Sequence, residues 1–299
     1  MATTERRQDV WIDAVAGFSA GCATTLVVHP LDLVKVRLQL DNTKVTHMGG
    51  VLAIILDIRQ SVSPLREAYR GLIPNLIGNT VSWGSYFFLY EQIKARLNQF
   101  YGHDRLSSSD YFLSAGTAGC LTAVLTNPIW VVKTRMLSTN SGYSGAYKGT
   151  LNGLQRIYIE EGLRGFYRGF LPGLLGIGHG AVQLMFYEKL KSWYLNTVEL
   201  DSKGTQVSRD MSTLQYIMFS ATSKIGASVV MYPTQVLKSR LQIYNADSVY
   251  SSVRDVIKKT FNEEGLSGFY KGLLPNLFRV VPATCVTFVV YENTRKYLK

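Results

Sequence analysis

The sequence predicts an all-α membrane protein with six transmembrane helices, built from three tandem repeats. Three long segments contain no acidic or basic side chain. They lie between Arg70 and Glu91, between Asp110 and Lys133, and between Arg168 and Glu188. A helix needs ~20 apolar residues to cross the hydrocarbon core, and each segment supplies about that length. Three motifs that recur three times in the same order are the second observation, and they define the repeats.

The first motif places a proline shortly before two bases. The pattern Pro-x-x-x-x-Lys-x-Arg begins at Pro30, Pro128 and Pro233. A proline inside a helix removes one backbone hydrogen bond and bends the helix axis. We therefore expect three kinked helices whose ends come together.

Two further motifs complete each repeat. Tyr-Arg/Lys-Gly-x-x-Pro begins at Tyr69, Tyr167 and Tyr270, and Tyr-Glu-x-x-Lys/Arg begins at Tyr90, Tyr187 and Tyr291. We place the repeats at residues 1–104, 105–205 and 206–299. The long helices are expected near 9–40, 72–98, 108–137, 170–195, 209–242 and 273–297, with short surface helices near 50–61, 149–160 and 250–263.

Charge and composition narrow the classes of function. The formal charge of +11 indicates an anionic partner, either a solute or a lipid. Nucleic acid is disfavoured because the bases are scattered singly or in pairs, without a basic stripe interleaved with aromatic residues. The cysteines (Cys22, Cys120 and Cys285) are odd in number and far apart, which supports neither a disulfide framework nor a metal site. Since no nucleophile–base pair or phosphate-cradling loop occurs, the sequence does not indicate an enzyme.

These motifs resemble the mitochondrial carrier family over essentially the whole chain. The family signature is Pro-x-acid-x-x-base-x-base followed by acid-Gly-x4-aromatic-base-Gly. The chain departs from it at Ser63-Pro64, where acid-Gly is expected, and at Trp130 and Gln235, which replace two acids. The resemblance implies a monomeric, three-fold pseudosymmetric barrel in the mitochondrial inner membrane, with three short surface helices on the matrix side. It also implies transport by alternating access.

In this family a ring of charged residues closes the matrix side, with the acid of one repeat facing the base of the next. The implied matrix gate comprises Asp32, Lys35, Gln39, Trp130, Lys133, Gln235, Lys238 and Gln242. Asp32 keeps its acid and faces Lys133, whereas Trp130 would meet Lys238, and Gln235 would meet Lys35, without opposite charge. Gln39 and Gln242 match the glutamines that brace such a gate. We therefore expect a weak matrix gate.

The cytoplasmic gate keeps its full set of charges. The resemblance implies that it comprises Glu91, Lys94, Glu188, Lys191, Glu292 and Arg295. Three acid–base pairs against one predict that the empty protein favours the state with its cytoplasmic gate closed. Ordinary solvated charges at helix ends are the alternative.

Bound cardiolipin is also implied, because the family holds this lipid where an even-numbered helix begins after Tyr-base-Gly. Free N–H groups at a helix N-terminus attract phosphate. The implied lipid-binding residues are Arg70, Gly71, Arg168, Gly169, Lys271 and Gly272. Plain helix caps are the alternative for these positions.

The substrate site of the family lies on the even-numbered helices, about two turns past those glycines. Gly78, Gly176 and Arg279 occupy the equivalent positions. Gly176 would leave a flat slot for a base unless it is a packing glycine, and Arg279 would supply a planar cation for phosphate or carboxylate. The full set of candidate substrate residues is Asn79, Ser82, Trp83, Gly176, Ile177, Gln183, Lys224 and Arg279.

Lys224 is included because it lies on a predicted transmembrane helix, where repeats 1 and 2 carry Gly21 and Gly119. A lysine without a partner is costly there, so a contact to an anion is favoured over a structural role. His179 is either a ligand contact or a satisfied packing histidine.

Finer matching points to one part of the family. The segment from Asn127 to Arg135, with Trp130 in place of the acid, resembles the subgroup that carries FAD, folate, NAD and pyrimidine nucleotides. The segment from Gly169 to Gln183 is similar to the FAD and folate branch, and the opening of the chain to its fungal members. The resemblance implies FAD as the transported substrate rather than a resident cofactor. Folate, NAD and pyrimidine nucleotides remain open, as does a proton leak regulated by nucleotide.

Overall fold

The computed structural model describes residues 2–41, 47–101, 107–140, 142, 145–201, 212–244 and 246–298. Within these ranges the chain forms helices and no strand. The α-helices of repeat 1 are α1 (Ala2–Leu40), α2 (His47–Gln60), α3 (Pro64–Ala68) and α4 (Leu72–Tyr101). Those of repeat 2 are α5 (Ser108–Ser138), α6 (Thr150–Phe166), α7 (Phe170–Leu175) and α8 (His179–Asp201). Those of repeat 3 are α9 (Thr213–Leu241), α10 (Ala246–Val249), α11 (Val253–Glu264), α12 (Leu273–Phe278) and α13 (Val280–Leu298).

The three proline helices are continuous. Pro30, Pro128 and Pro233 lie inside α1, α5 and α9. The second long helix is formed by α4 in repeat 1, by α7 and α8 in repeat 2, and by α12 and α13 in repeat 3. A 3₁₀ turn at Gly176–Gly178 joins α7 to α8, and the flanking Leu175 and His179 keep right-handed helical backbone. Arg279 between α12 and α13 is helical as well, because its N–H donates to the Pro275 carbonyl and its carbonyl accepts from the Ala283 N–H. The helices predicted at 170–195 and 273–297 therefore run through these junctions.

The long helices close a ring. α4 packs on α5, α8 packs on α9, and α13 packs on α1, so the second long helix of each repeat lies on the first helix of the next. α1 also contacts α5 and α9. We call the end with α2, α6 and α11 the matrix end and the opposite end the cytoplasmic end. The predicted repeat boundaries at 104/105 and 205/206 lie outside the described residues.

The surface of the ring suits a membrane. Four segments are long and apolar enough to cross one, namely Trp11–Leu40, Ser109–Ser138, Phe170–Leu195 and Leu266–Leu298. Large apolar side chains such as Phe18, Phe112 and Phe288 are exposed on them. Such an extent of exposed apolar surface is unfavourable in water and favourable in lipid.

The second base of each proline motif is buried and ties the kinked helix to its matrix-side segment. Arg135 lies 2.5 Å from Glu161, and Arg240 lies 2.6 Å from Glu264. Burial raises the pKa of both glutamates, but the hydrogen bonds that they accept and the positive charges of the donors together hold each pKa below its usual value. The donors are Arg135 and Arg168 for Glu161, and Arg240 and Lys271 for Glu264.

Repeat 1 keeps this ion pair although it lacks the acid-Gly motif. Arg37 lies 2.5 Å from Glu67, which is 2% exposed. Glu67 stands where repeats 2 and 3 have Gly165 and Gly268, and Ser63 stands where they have the glutamate. A Cβ at Gly165 would lie 2.7 Å from the side chain of Glu161, so glycine and glutamate depend on each other. The Glu67 carboxylate thus replaces the missing one from a position four residues further along.

Candidate substrate cavity and gates

A cavity of about 740 Å³ lies inside the ring. Side chains from all three repeats line it, including Lys35, Trp83, Lys133, Lys224 and Arg279. Its volume falls within the range of ~300–1,000 Å³ that is typical of small-molecule sites. The cavity is therefore large enough for a cofactor-sized ligand or a substantial part of one.

Cations outnumber carboxylates at the matrix end of this cavity. Asp32 accepts a hydrogen bond from Arg279 and lies 4.0 Å from Lys133 Nζ. Lys35 Nζ donates to Gln235 Oε1 and to Asn276 Oδ1, both at 2.9 Å. Lys35, Lys133, Lys238 and Arg279 line this end of the cavity, and none of the described lining residues is a carboxylate, since Asp32 lies behind Lys133 and Arg279. This excess of positive charge favours an anionic ligand.

Arg279 has two roles where the sequence indicated one. It lines the cavity, as predicted for a substrate residue, and its side chain is 37% exposed. It is also bonded to Asp32, so it belongs to the matrix gate as well. The two residues are 247 positions apart, which is why the sequence did not reveal the pair.

Trp130 and Lys238 line the same pocket, but the cation that lies over the Trp130 ring belongs to its own helix. The ring lies 4.9 Å from Lys133 Nζ, one turn along the same helix. The other side of the ring lies close to Gly78, where an added Cβ would come within 3.3 Å of it. Trp130 therefore fills the space of the missing acid by packing and by a cation–π contact.

The two glutamines join neighbouring repeats. Gln39 Nε2 donates to the Tyr232 hydroxyl at 3.1 Å, and Ser239 Oγ donates to Gln39 Oε1 at 2.7 Å. Thr134 Oγ1 donates to Gln242 Oε1 at 2.8 Å. Together with the Lys35–Gln235 bond, these contacts hold the three kinked helices together. The implied matrix gate therefore contains hydrogen bonds of uncharged side chains as well as the ionic contacts of Asp32, and its strength remains a prediction.

Five of the candidate substrate residues line the cavity: Trp83, Gly176, Ile177, Lys224 and Arg279. Asn79, Ser82 and Gln183 do not, which departs from the sequence-based expectation. Asn79 Nδ2 is turned toward Asn75 Oδ1 at 3.5 Å. Ser82 is about 100° around the helix from Trp83, and its hydroxyl oxygen is buried. Gln183 lies one turn beyond His179, outside the lining.

Gly176 faces open space. A Cβ added there would meet nothing within 4 Å, whereas one at Gly119 would lie 3.2 Å from Ile177. Packing therefore requires a small residue at Gly119 but not at Gly176. This geometry favours the flat-slot interpretation of Gly176 over the packing interpretation.

Lys224 projects into the cavity from α9 and is exposed there. His179 also lines the cavity, and its Nε2 lies 3.4 Å from Ser228 Oγ. Both positions are accessible from the cavity and both offer nitrogen atoms to a ligand.

The cytoplasmic gate is not formed. Glu91 pairs with Lys94 of its own helix at 2.7 Å, and Arg295 pairs with Asp13 at 3.2 Å. Within the part of the chain that the structure describes, no gate acid of one repeat pairs with a gate base of another, so Glu188, Lys191 and Glu292 stay apart from their expected partners. The ion pairs that would close the cytoplasmic end are thus absent among the described residues. The equilibrium between the two states remains a prediction.

The predicted lipid-binding residues have structural roles of their own. Arg70 Nε donates to the Met136 carbonyl at 2.8 Å, Arg168 lies 2.7 Å from Glu161, and Lys271 lies 2.6 Å from Glu264. The glycines have positive φ values, of 76° at Gly71, 67° at Gly169 and 82° at Gly272, which other residues rarely adopt. These positions act as helix caps and inter-helix ties, and lipid binding there remains a prediction.

Other side chains of the site were not selected from the sequence. Asn276 binds Lys35, and Tyr232 binds Gln39. Asn276 could have been found by aligning the repeats, because it stands four residues after Gly272, as Asn75 does after Gly71. Tyr232 directly precedes Pro233, where the other repeats have His29 and Asn127, so the alignment gives no signal for it.

A ring of long, apolar helices around a cationic cavity is the arrangement expected of a solute carrier. The sequence matches the family described as mitochondrial carrier protein three times, over residues 6–101, 104–198 and 209–299. The chain belongs to the mitochondrial carrier family, whose members are transporters and not enzymes.

Three relatives cover nearly the whole chain. The mitochondrial FAD carrier protein of Saccharomyces cerevisiae is 39% identical in an alignment of 304 positions, which covers 96% of each chain. The chloroplastic folate transporter 1 of Arabidopsis thaliana is 38% identical, over 97% of this chain and 96% of its own. The chloroplastic nicotinamide adenine dinucleotide transporter 1 of the same plant is 36% identical, over 97% of this chain and 93% of its own.

Proposed function

We propose that this protein carries FAD across the mitochondrial inner membrane by alternating access. The observation that carries the proposal is the cavity, in which an excess of cations lies beside the exposed ring of Trp83 and the open slot at Gly176. FAD combines a pyrophosphate with two flat ring systems. A cation-rich floor suits the pyrophosphate, while an aromatic face and a glycine slot suit the rings.

The relatives support a cofactor of this kind. Those named above are described as carriers of FAD, folate and nicotinamide adenine dinucleotide. All three solutes join a flat ring system to an anionic group. Folate is the second candidate, because its pterin ring and two carboxylates present the same combination of a planar ring and anions.

The geometry supports a mechanism in which the solute itself opens the matrix gate. An anion that enters the open cavity offers Arg279 and Lys133 a partner other than Asp32. Because the cation–carboxylate contacts help to hold the matrix gate closed, their replacement weakens the gate only when substrate is bound. Closure of the cytoplasmic gate would then bring Glu91, Glu188 and Glu292 to the bases of the neighbouring repeats.

Uptake into proteoliposomes tests the substrate. The purified protein is reconstituted and offered labelled FAD, FMN, riboflavin, folate, NAD and pyrimidine nucleotides, with Arg279→Ala as the matched inactive control. We expect uptake of FAD to exceed that of the other solutes and to vanish in the variant. Uptake of folate alone would replace FAD by the second candidate.

A proton leak regulated by nucleotide is the alternative class of function, and testing it requires a second measurement. A pH-sensitive dye inside the same liposomes reports proton movement. A proton flux that needs no cofactor and is blocked by nucleotide would replace transport by a regulated leak. Imaging a tagged full-length chain in cells tests the location, since a plastid signal would contradict the mitochondrial inner membrane.

A further inference from the structure

Lys238 lacks the side-chain partner that repeat symmetry provides to its counterpart in repeat 1. Lys35 Nζ donates to Asn276 Oδ1, four residues after the glycine of its neighbouring even-numbered helix. The corresponding residue beside Lys238 is Gly173. A Cβ added at Gly173 would lie 3.6 Å from Lys238 Nζ, so the lysine faces the place where an asparagine side chain would begin.

The partner on the neighbouring kinked helix is missing as well. Lys35 is bonded to Gln235, and Lys133 lies beside Asp32. The residue in that position for Lys238 is Trp130, whose ring lies over Lys133 instead. Within the described ranges, Lys238 therefore has no carboxylate or amide partner, although it lies between packed helices.

Open space adjoins this cation. A side pocket of about 160 Å³ is lined by Lys238, Gly173, Trp130, Phe170 and Thr122, among others. Lys238, Gly173 and Trp130 also line the central cavity, so the pocket adjoins it. The Thr122 hydroxyl oxygen is buried without a hydrogen-bond partner. One water occupies ~30 Å³ of liquid, so the pocket holds a group of several heavy atoms.

We propose that this side pocket is a binding subsite for one oxyanion group, a phosphate or a carboxylate. Lys238 supplies the positive charge, and the Thr122 hydroxyl supplies a hydrogen-bond donor. Lys238 is then a ligand-binding residue rather than a base that closes the matrix gate. Trp130 stands where repeat 1 has Asp32, and Gly173 stands where repeat 3 has Asn276, so both differences between the repeats leave Lys238 available to a ligand.

The oxyanion has two sources with the same chemistry. One is an anionic group of the transported cofactor, in which case the subsite rests on the proposed function. The other is a free phosphate ion that binds independently of the cofactor. Titrations with FAD and with inorganic phosphate distinguish the two sources.

The test measures the unfolding temperature of the detergent-purified full chain during each titration, which gives an apparent Kd. Lys238→Gln removes the charge. Gly173→Asn keeps the charge but gives Lys238 the acceptor that Asn276 gives to Lys35. Gly173→Ala adds only a Cβ, at ordinary contact distance from Lys238. Lys258→Gln, which removes an exposed charge on α11, is the matched charge control.

We expect Lys238→Gln and Gly173→Asn to weaken binding roughly tenfold or more, because each removes a charge-assisted hydrogen bond to the ligand. Gly173→Ala should lose much less, and Lys258→Gln should match the parent. Loss of the FAD response assigns the subsite to the cofactor, and loss of the phosphate response alone assigns it to a free ion.

Parent-like affinity for both probes in Lys238→Gln and Gly173→Asn would overturn the subsite while leaving the proposed function intact. If FAD and the other cofactors do not shift the parent, the proposed substrate is wrong, and the phosphate titration decides the subsite by itself. A parent protein that responds to neither probe overturns both.

Discussion

Replacing Glu67 by glycine removes the carboxylate that Arg37 meets at the matrix end of repeat 1. Breaking a buried ion pair by deleting one partner costs ~3–5 kcal/mol, because the other charge stays buried. Arg37 keeps two contacts at 3.2 Å, to the exposed Asp57 carboxylate and to the Leu137 carbonyl, so the cost should lie near the lower end. At ~2–4 °C per kcal/mol, Glu67→Gly should lower the unfolding temperature by roughly 6–12 °C.

The sequence of repeat 2 shows how the buried ion pair can be restored in a Glu67→Gly variant. Changing Ser63→Glu, Pro64→Gly and Glu67→Gly together converts Ser63-Pro-Leu-Arg-Glu67 into the Glu-Gly-Leu-Arg-Gly sequence of residues 161–165. The proline must change as well, because the equivalent Gly162 has φ of 64°, whereas proline is fixed near −65°. We therefore expect the triple variant to recover most of the lost stability, and Ser63→Glu with Glu67→Gly to recover less.

Thermal unfolding of the detergent-purified variants, followed by intrinsic fluorescence, measures these shifts. Asp57→Ala is the control, since it removes the other acid near Arg37 from an exposed site and should cost under ~1 kcal/mol. The reasoning is refuted if Glu67→Gly shifts the unfolding temperature by no more than Asp57→Ala, or if the triple variant is as unstable as the single one.

Three further predictions concern charge. Arg279→Ala should abolish FAD uptake while Arg279→Lys keeps part of it; uptake above about half the parent rate in Arg279→Ala would contradict the assignment. Lys224→Ala should raise the KM for FAD, whereas a lower unfolding temperature with an unchanged KM would make the residue structural. The pKa values of Glu161 and Glu264 lie below the usual value, so their ion pairs contribute stability above the unfolded-state pKa and lose it as pH falls through the folded-state pKa. The unfolding temperature should therefore hold steady from pH 7 to about 5 and fall below about pH 4, and Glu264→Gln should flatten that fall.

The repeated motifs were sufficient to predict the long helices, because a charge-free segment of membrane-spanning length and the prolines can be recognised from local sequence alone. The ends of the long helices agree with the sequence-based positions to within a few residues at most boundaries. The 3₁₀ turn at Gly176–Gly178 was not predicted, because its backbone differs from that of an α-helix only in the tighter spacing of its hydrogen bonds. The substitute carboxylate of Glu67 was also missed, because a motif search expects the acid at position 63.

The site was predicted less completely than the fold. Position counting from Gly71, Gly169 and Gly272 located Gly176 and Arg279 on the cavity wall. It did not reveal that Arg279 binds Asp32, because only the packing of α12 against α1 brings these residues together. The count of charged pairs did not include the Lys35–Gln235 hydrogen bond or the bonds of Gln39 and Gln242, and the expected weakness of the matrix gate remains a prediction.

The most direct test of the cationic cavity compares inhibitors that share one ring system and differ in charge. Uptake of labelled FAD into proteoliposomes is measured in the presence of unlabelled FAD, FMN or riboflavin on the cytoplasmic-gate side. The account predicts strong inhibition by FAD, weaker inhibition by FMN and almost none by uncharged riboflavin, because the cations near Asp32 bind the phosphates. Inhibition by riboflavin as strong as that by FAD would contradict it.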